Sequence, residues 1–106
     1  MSERLNKENF DSTIKSTSLA LVDFYSDSCI PCKKLNPVLG DLEDEAGEKL
    51  KLFKLNINFD FEVAEKYGIA SSPTLVLFKN GSEQDRKNGF QTLEALEDWI
   101  DLNNLK

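Results

Sequence analysis

The sequence contains no histidine. That removes serine–histidine and cysteine–histidine catalysis and any imidazole-ligated metal site. Cysteine is scarce too. Cys29 and Cys32 are the whole supply, too few for one chain to build a four-thiolate zinc or iron–sulfur centre, so no metal is expected. No apolar run approaches the ~18 residues that span a bilayer. The opening residues, MSERLNKENF, lack the apolar core of a secretory leader, which makes the cytoplasm the expected location. Positive charge is in deficit, with 13 Lys and Arg against 19 Asp and Glu, for a formal net charge of −6. An acidic surface repels phosphate backbones, so neither nucleic acid nor an anionic membrane is an expected partner. Any proton transfer falls to carboxylates, lysines, tyrosines or thiols.

What is present is the composition of one globular domain over residues 1–106: 40% hydrophobic and 30% charged residues, without repeats, linkers or low-complexity tracts. A chain of this size buries roughly two-thirds of its unfolded surface and holds a core without staples. Residues 7–16 predict a short helix, with Phe10 and Ile14 one turn apart. Leu19 to Tyr25 is a nearly unbroken apolar run, the mark of a strand covered on both faces. Leu35, Val38, Leu39, Leu42 and Ala46 then repeat at helical spacing, with Pro31 in the first turn, Pro37 inside the pattern as an expected kink, and Gly47 as a stop. Leu50 to Ile57 predicts a second core strand, Phe61 to Tyr67 a short helix, and Thr74 to Phe78 a third strand. Asn80-Gly81 signals a hairpin, so 83–89 should return antiparallel. Thr92 caps a last helix carrying Leu93, Leu96, Trp99 and Ile100 on one face. Alternation followed by a hairpin describes an α/β fold with a mixed sheet and helices on both faces.

The segment Cys29-Ile30-Pro31-Cys32 follows a buried strand and opens a helix. A helix start offers unpaired backbone donors and partial positive charge, and both favour a thiolate over a thiol. Two intervening residues let both sulfurs meet within one turn, so a disulfide can close and open without refolding. Cys29 is thus expected as the exposed nucleophile and Cys32 as the shielded resolving thiol. A static disulfide or half of a metal site is the bland alternative, and the first sits poorly with a chain that lacks a leader. Asp23 interrupts the apolar strand just ahead of the pair. It is either an outward-facing acid at a strand end or a buried carboxyl with a raised pKa that takes the proton of Cys32. Lys54, on the neighbouring strand, either tunes that pKa or is a solvated strand charge.

These residues resemble the thioredoxin family. The likeness runs from Leu19 to the C-terminus through VDFYSDSCIPCK (22–33), Pro37, KLNI (54–57), YGIASSPT (67–74), LFKNG (77–81) and Gly89, while residues 1–18 carry little of it. The resemblance implies the thioredoxin fold and a protein-disulfide reductase or redox electron carrier. It implies disulfide-containing protein substrates, a thioredoxin reductase as recycling partner, no bound cofactor and a monomer. It implies that Pro73 is the family's cis-proline, facing the cysteine pair and presenting the Ser72 backbone to an extended substrate peptide, and that Asp23 is the family's buried acid. Four positions depart from the family's pattern: Ser28 where tryptophan is usual, Ile30 where glycine is usual, Ser72 where isoleucine is common, and Phe90 after Gly89 where a small residue is common. The expected substrate groove is therefore Ser28, Ile30, Pro31, Ser72, Gly89 and Phe90, with Ile30 and Phe90 replacing the missing tryptophan. Two narrower readings stay open: a dedicated electron donor to one reductase or peroxidase, and a non-catalytic binding module on the same fold.

Overall fold

In the computed structural model, which describes residues 3–104, the chain runs β1 (Glu3–Arg4), α1 (Phe10–Lys15), β2 (Leu19–Tyr25), α2 (Ile30–Ala46), β3 (Lys51–Asn56), α3 (Phe61–Lys66), β4 (Thr74–Lys79), β5 (Ser82–Asn88) and α4 (Leu93–Asn104). Of the single domain expected over 1–106, residues 1, 2, 105 and 106 lie outside the described residues. The strands form one sheet in the order β1-β3-β2-β4-β5. Both β1 and β2 run parallel to β3, whereas β4 is antiparallel to β2 and to β5. This is the mixed α/β sheet expected, with helices on both faces.

The continuous apolar run of Leu19–Tyr25 is explained by its position at the centre of the sheet. Successive side chains point to opposite faces. Leu19 and Leu21 join Leu35, Leu39 and Leu42 of α2 and Leu96, Trp99 and Ile100 of α4 in one core. Ala20, Val22 and Phe24 join Phe10 and Ile14 of α1 and Val63 of α3 in the other. Asp23 falls in the first row, on the α2–α4 face, with Lys54 beside it on β3 and Leu75 beside it on β4.

Three local features differ from the sequence reading, each for a physical reason. Two-residue β1 carries no periodicity and was not predicted; its pairing with Phe53 and Lys54 makes it a strand. Helix α1 starts at Phe10 because Asn6 and Asn9 take up the preceding backbone donors. The Asn6 carboxamide oxygen accepts from the Glu8 and Asn9 amides, and Asn9 accepts from the Asn6 amide. After α2, Gly47 adopts φ 60° and donates its N–H to the Glu43 carbonyl, and a 3-10 turn, Gly47–Lys49, leads into the buried Leu50. Asn80 and Gly81 both have positive φ, at 52° and 87°, which is the backbone a tight hairpin of this hand requires. The Thr92 hydroxyl accepts the Ala95 amide at 3.2 Å and caps α4. No described helix is long and apolar enough to cross a membrane.

Candidate active site

Parallel β2 and β3 end at the same pole of the sheet, and antiparallel β4 begins there. Three loops therefore meet: the turn from β2 into α2, the turn after β3, and the segment entering β4. The first carries both cysteines. Cys29 is the N-cap of α2, with extended backbone, and its sulfur accepts the Cys32 amide at 3.1 Å. The Cys29 amide in turn donates to the Ser26 carbonyl and its carbonyl accepts the Lys33 amide, so the sulfur is fixed at the helix mouth. Cys29 and Cys32 are joined as a disulfide with Cα atoms 5.2 Å apart. Cys29 is half-buried, while Cys32 is only 3% exposed. Pro31 occupies the first turn, where its missing N–H costs nothing.

The segment entering β4 packs against the sulfur. The Cys29 Sγ atom lies 3.4 Å from the Ser72 carbonyl oxygen. Oxidised sulfur has no hydrogen to donate, so this is a contact in the disulfide form and becomes a donor–acceptor pair only when the thiol is present. The Ser72–Pro73 peptide is cis, and Pro73 is buried. Its carbonyl accepts the Gly89 amide at 2.8 Å, which brings Gly89, at φ 81°, and Phe90 to the same rim. Ser28 and Pro31 are exposed, Ile30 is 65% exposed, and Phe90 is exposed as well. The residues expected as a groove thus come from three sequence segments and lie around one disulfide.

Asp23 sits beneath this pole on the α2 face, only 2% exposed, with neither carboxylate oxygen hydrogen-bonded. Burial among apolar side chains pushes its pKa up from 3.8 to about 7, while the positive charge of Lys54 pulls the other way. Lys54 does not close on it as an ion pair. Its ammonium donates to the Asn36 carboxamide oxygen at 3.1 Å and lies 4.9 Å from the centre of the Tyr25 ring. Those contacts border a hollow of about 230 Å³ that Cys32 also lines.

Sequence reasoning missed several residues that the pole assembles. Ser26 is buried, and its hydroxyl lies 3.2 Å from that of Ser72; a serine between Tyr25 and Asp27 reads as an ordinary loop residue and carried no signal. Asn36, which holds Lys54, is one polar helix position among several. Phe59 and Phe61 are 76% and 59% exposed beside the same pole, with the Arg4 guanidinium over the Phe59 ring. Two phenylalanines flanking Asp60 outside any amphipathic pattern were a readable sign of that patch. Among the described residues, no group of three or more Cys, Asp or Glu could hold a metal.

Comparison with known proteins points to one family. The family model described as Thioredoxin matches residues 1–102. The chain is 46% identical over 92 residues to the thioredoxin of Chlamydia caviae, covering 87% of this chain and 88% of that one. It is 36% identical over 104 residues to the thioredoxin of Rickettsia bellii, covering 97% and 99%. It is 40% identical over 85 residues to the thioredoxin of Bacillus subtilis, covering 80% and 82%.

Proposed function

The chain belongs to the thioredoxin family and is a thiol–disulfide oxidoreductase, and we propose that its variant Cys-Ile-Pro-Cys segment performs the exchange with Cys29 as the attacking sulfur and Cys32 as the resolving one. Family membership brings disulfide-bearing substrates and a thioredoxin reductase as partners. The observation that carries the assignment of roles is the Cys29 sulfur held at the start of α2, partly open to solvent and against the Ser72 carbonyl, with Cys32 one turn inward.

In the reducing direction the Cys29 thiolate attacks one sulfur of the substrate disulfide. A Cys29–substrate S–S bond forms, the substrate's own S–S bond breaks, and the departing sulfur is protonated. Cys32 then gives its proton to Asp23 and attacks the Cys29 sulfur. The Cys29–Cys32 bond forms, the mixed disulfide breaks, and the second substrate sulfur leaves as a thiol. Two electrons have passed to the substrate, and the reductase restores them. Asp23 suits the task because a base acts best when its pKa lies near the working pH, and burial pushes it to about 7. Lys54 moderates that value by its charge. Pro73 and Ser72 hold the substrate peptide beside Cys29. Ser28, Ile30, Pro31, Gly89 and Phe90 line its path, with Ile30 and Phe90 as apolar contacts.

A single chain carries the whole reaction, so the working form in this proposal is a monomer without metal or cofactor. The cytoplasm is the proposed location because a dithiol that must be re-reduced belongs in a reducing compartment. The acidic surface argues against nucleic acid as a partner. Two variants test the roles. Cys32→Ser should accumulate a mixed disulfide through Cys29 when mixed with insulin, and Cys29→Ser should trap none. The opposite pattern reverses the assignment, and failure of the native protein to reduce insulin with dithiothreitol would return the chain to the status of a binding module.

A further inference from the structure

The loop that enters β4 is braced on its own side of the site by the Gly89 amide on the Pro73 carbonyl at 2.8 Å and by the Thr74 hydroxyl, 2.7 Å from the Ser71 carbonyl. The β2–β4 ladder holds the two segments together as far as Phe24 opposite Thr74, and beyond it they run as loops. Among the described residues, the polar contacts between residues 26–32 and 71–73 are the Cys29 sulfur on the Ser72 carbonyl and the hydroxyl pair of Ser26 and Ser72 at 3.2 Å. Ser26 faces both loops. Its carbonyl accepts the Cys29 amide at 3.4 Å, while its hydroxyl meets that of Ser72. Ser26 is 8% exposed and Ser72 half-buried, so the hydroxyl pair is partly shielded from water.

We propose that the Ser26–Ser72 hydroxyl pair is a clamp that sets the spacing between the reactive sulfur and the peptide-binding edge of the loop, making Ser26 and Ser72 positioning residues for protein substrates. The inference rests on the proposed function, in which an extended peptide lies along the Ser72 backbone while its disulfide meets Cys29. The carbonyl of Ser72 lies 3.4 Å from the sulfur, so a shift of this loop displaces the edge on which the peptide docks, and a docking edge that is no longer pre-set costs binding. A serine at residue 72 is therefore more than the loss of an apolar side chain.

The test is a double-mutant cycle read in the KM and kcat for insulin reduction. Ser72→Ala and Ser26→Ala should each raise KM for insulin roughly 3- to 10-fold, the range expected for losing one neutral hydrogen bond, with kcat changing less. The double variant should be no worse than the poorer single one, because both changes remove the same interaction. Ser72→Thr keeps the hydroxyl and should restore the native KM, a rescue that general loosening of the loop would not give. Additive losses, an unchanged KM in Ser72→Ala, or a Ser72→Thr variant as poor as Ser72→Ala would each overturn the clamp. If Ser26→Ala does not fold, the Ser72→Ala and Ser72→Thr pair decides alone. A small aromatic disulfide, 5,5′-dithiobis(2-nitrobenzoic acid), separates the two levels. If the native protein reduces neither it nor insulin, the proposed function fails. If the native protein reduces both and the variants match it, only the clamp fails.

Discussion

A carboxyl group set among leucines keeps its proton at a pH where one in water has long lost it. Asp23 is such a group. Val22 and Phe24 flank it in β2 and Leu75 faces it from β4, neither oxygen has a hydrogen-bond partner, and the ammonium of Lys54 on β3 sits against Asn36 and Tyr25 instead. The folded protein therefore holds this proton up to about pH 7, whereas the unfolded chain releases it near the ordinary value of 3.8. The sign follows: the folded state binds more protons between those limits, so the contribution to stability is whole below the lower one and drains away as pH rises through the upper one. By pH 8 the loss approaches ~4 kcal/mol. Urea denaturation of the disulfide form should show stability falling from pH 5 to pH 8. Asp23→Asn should flatten that slope and make the protein ~2–4 kcal/mol more stable at pH 8, while slowing release of mixed disulfides. A native protein equally stable at both pH values would mean that Asp23 is already ionised in the folded protein across that range.

At the scale of elements, the hairpin between β4 and β5 joins local chemistry to tertiary contact. Asn80 and Gly81 supply the two positive φ angles of the turn. A side chain at Gly81 would also place its Cβ 3.2 Å from the Lys15 Cα, because the turn packs on the end of α1. Gly81→Ala should therefore cost ~1–2 kcal/mol, measured as a lower urea midpoint at unchanged slope. No loss would show that the turn relaxes freely away from α1. The elements most legible in the sequence were those with a strong period or a long apolar run. β2 has the bounds Leu19–Tyr25 that its composition suggested, and the Asn80-Gly81 turn lies where its residues placed it. Helix α2 continues through Pro37, which cannot donate to the carbonyl one turn back. The elements that escaped, β1 and the shortened start of α1, depend on a partner strand and on two asparagine side chains, and neither leaves a period in the chain.

For the whole molecule, the sheet separates two cores, one under α2 and α4 and one under α1 and α3. Leu35 is fully buried in the first, on the helix that carries the cysteines. Leu35→Ala should destabilise the protein by ~2–5 kcal/mol, seen in urea denaturation, and a change under 1 kcal/mol would contradict the tight packing of α2 on the sheet. Of the five exposed large hydrophobics among the described residues, Ile30, Phe59, Phe61 and Phe90 lie around the pole that carries the disulfide. That concentration belongs to no single segment and becomes visible only once the strands are in register. The fold class and the redox chemistry were legible in the chain, because periodicity and the cysteine pair are local patterns, whereas the charge inside the apolar run left open whether Asp23 faces outward or inward. Folding buries Asp23, brings the loop before β4 against the sulfur, sets Ser26 beside Ser72, and places Lys54 against Asn36 and Tyr25. Those contacts join residues far apart in the chain, and their distances follow from strand register and helix packing, which no local pattern encodes.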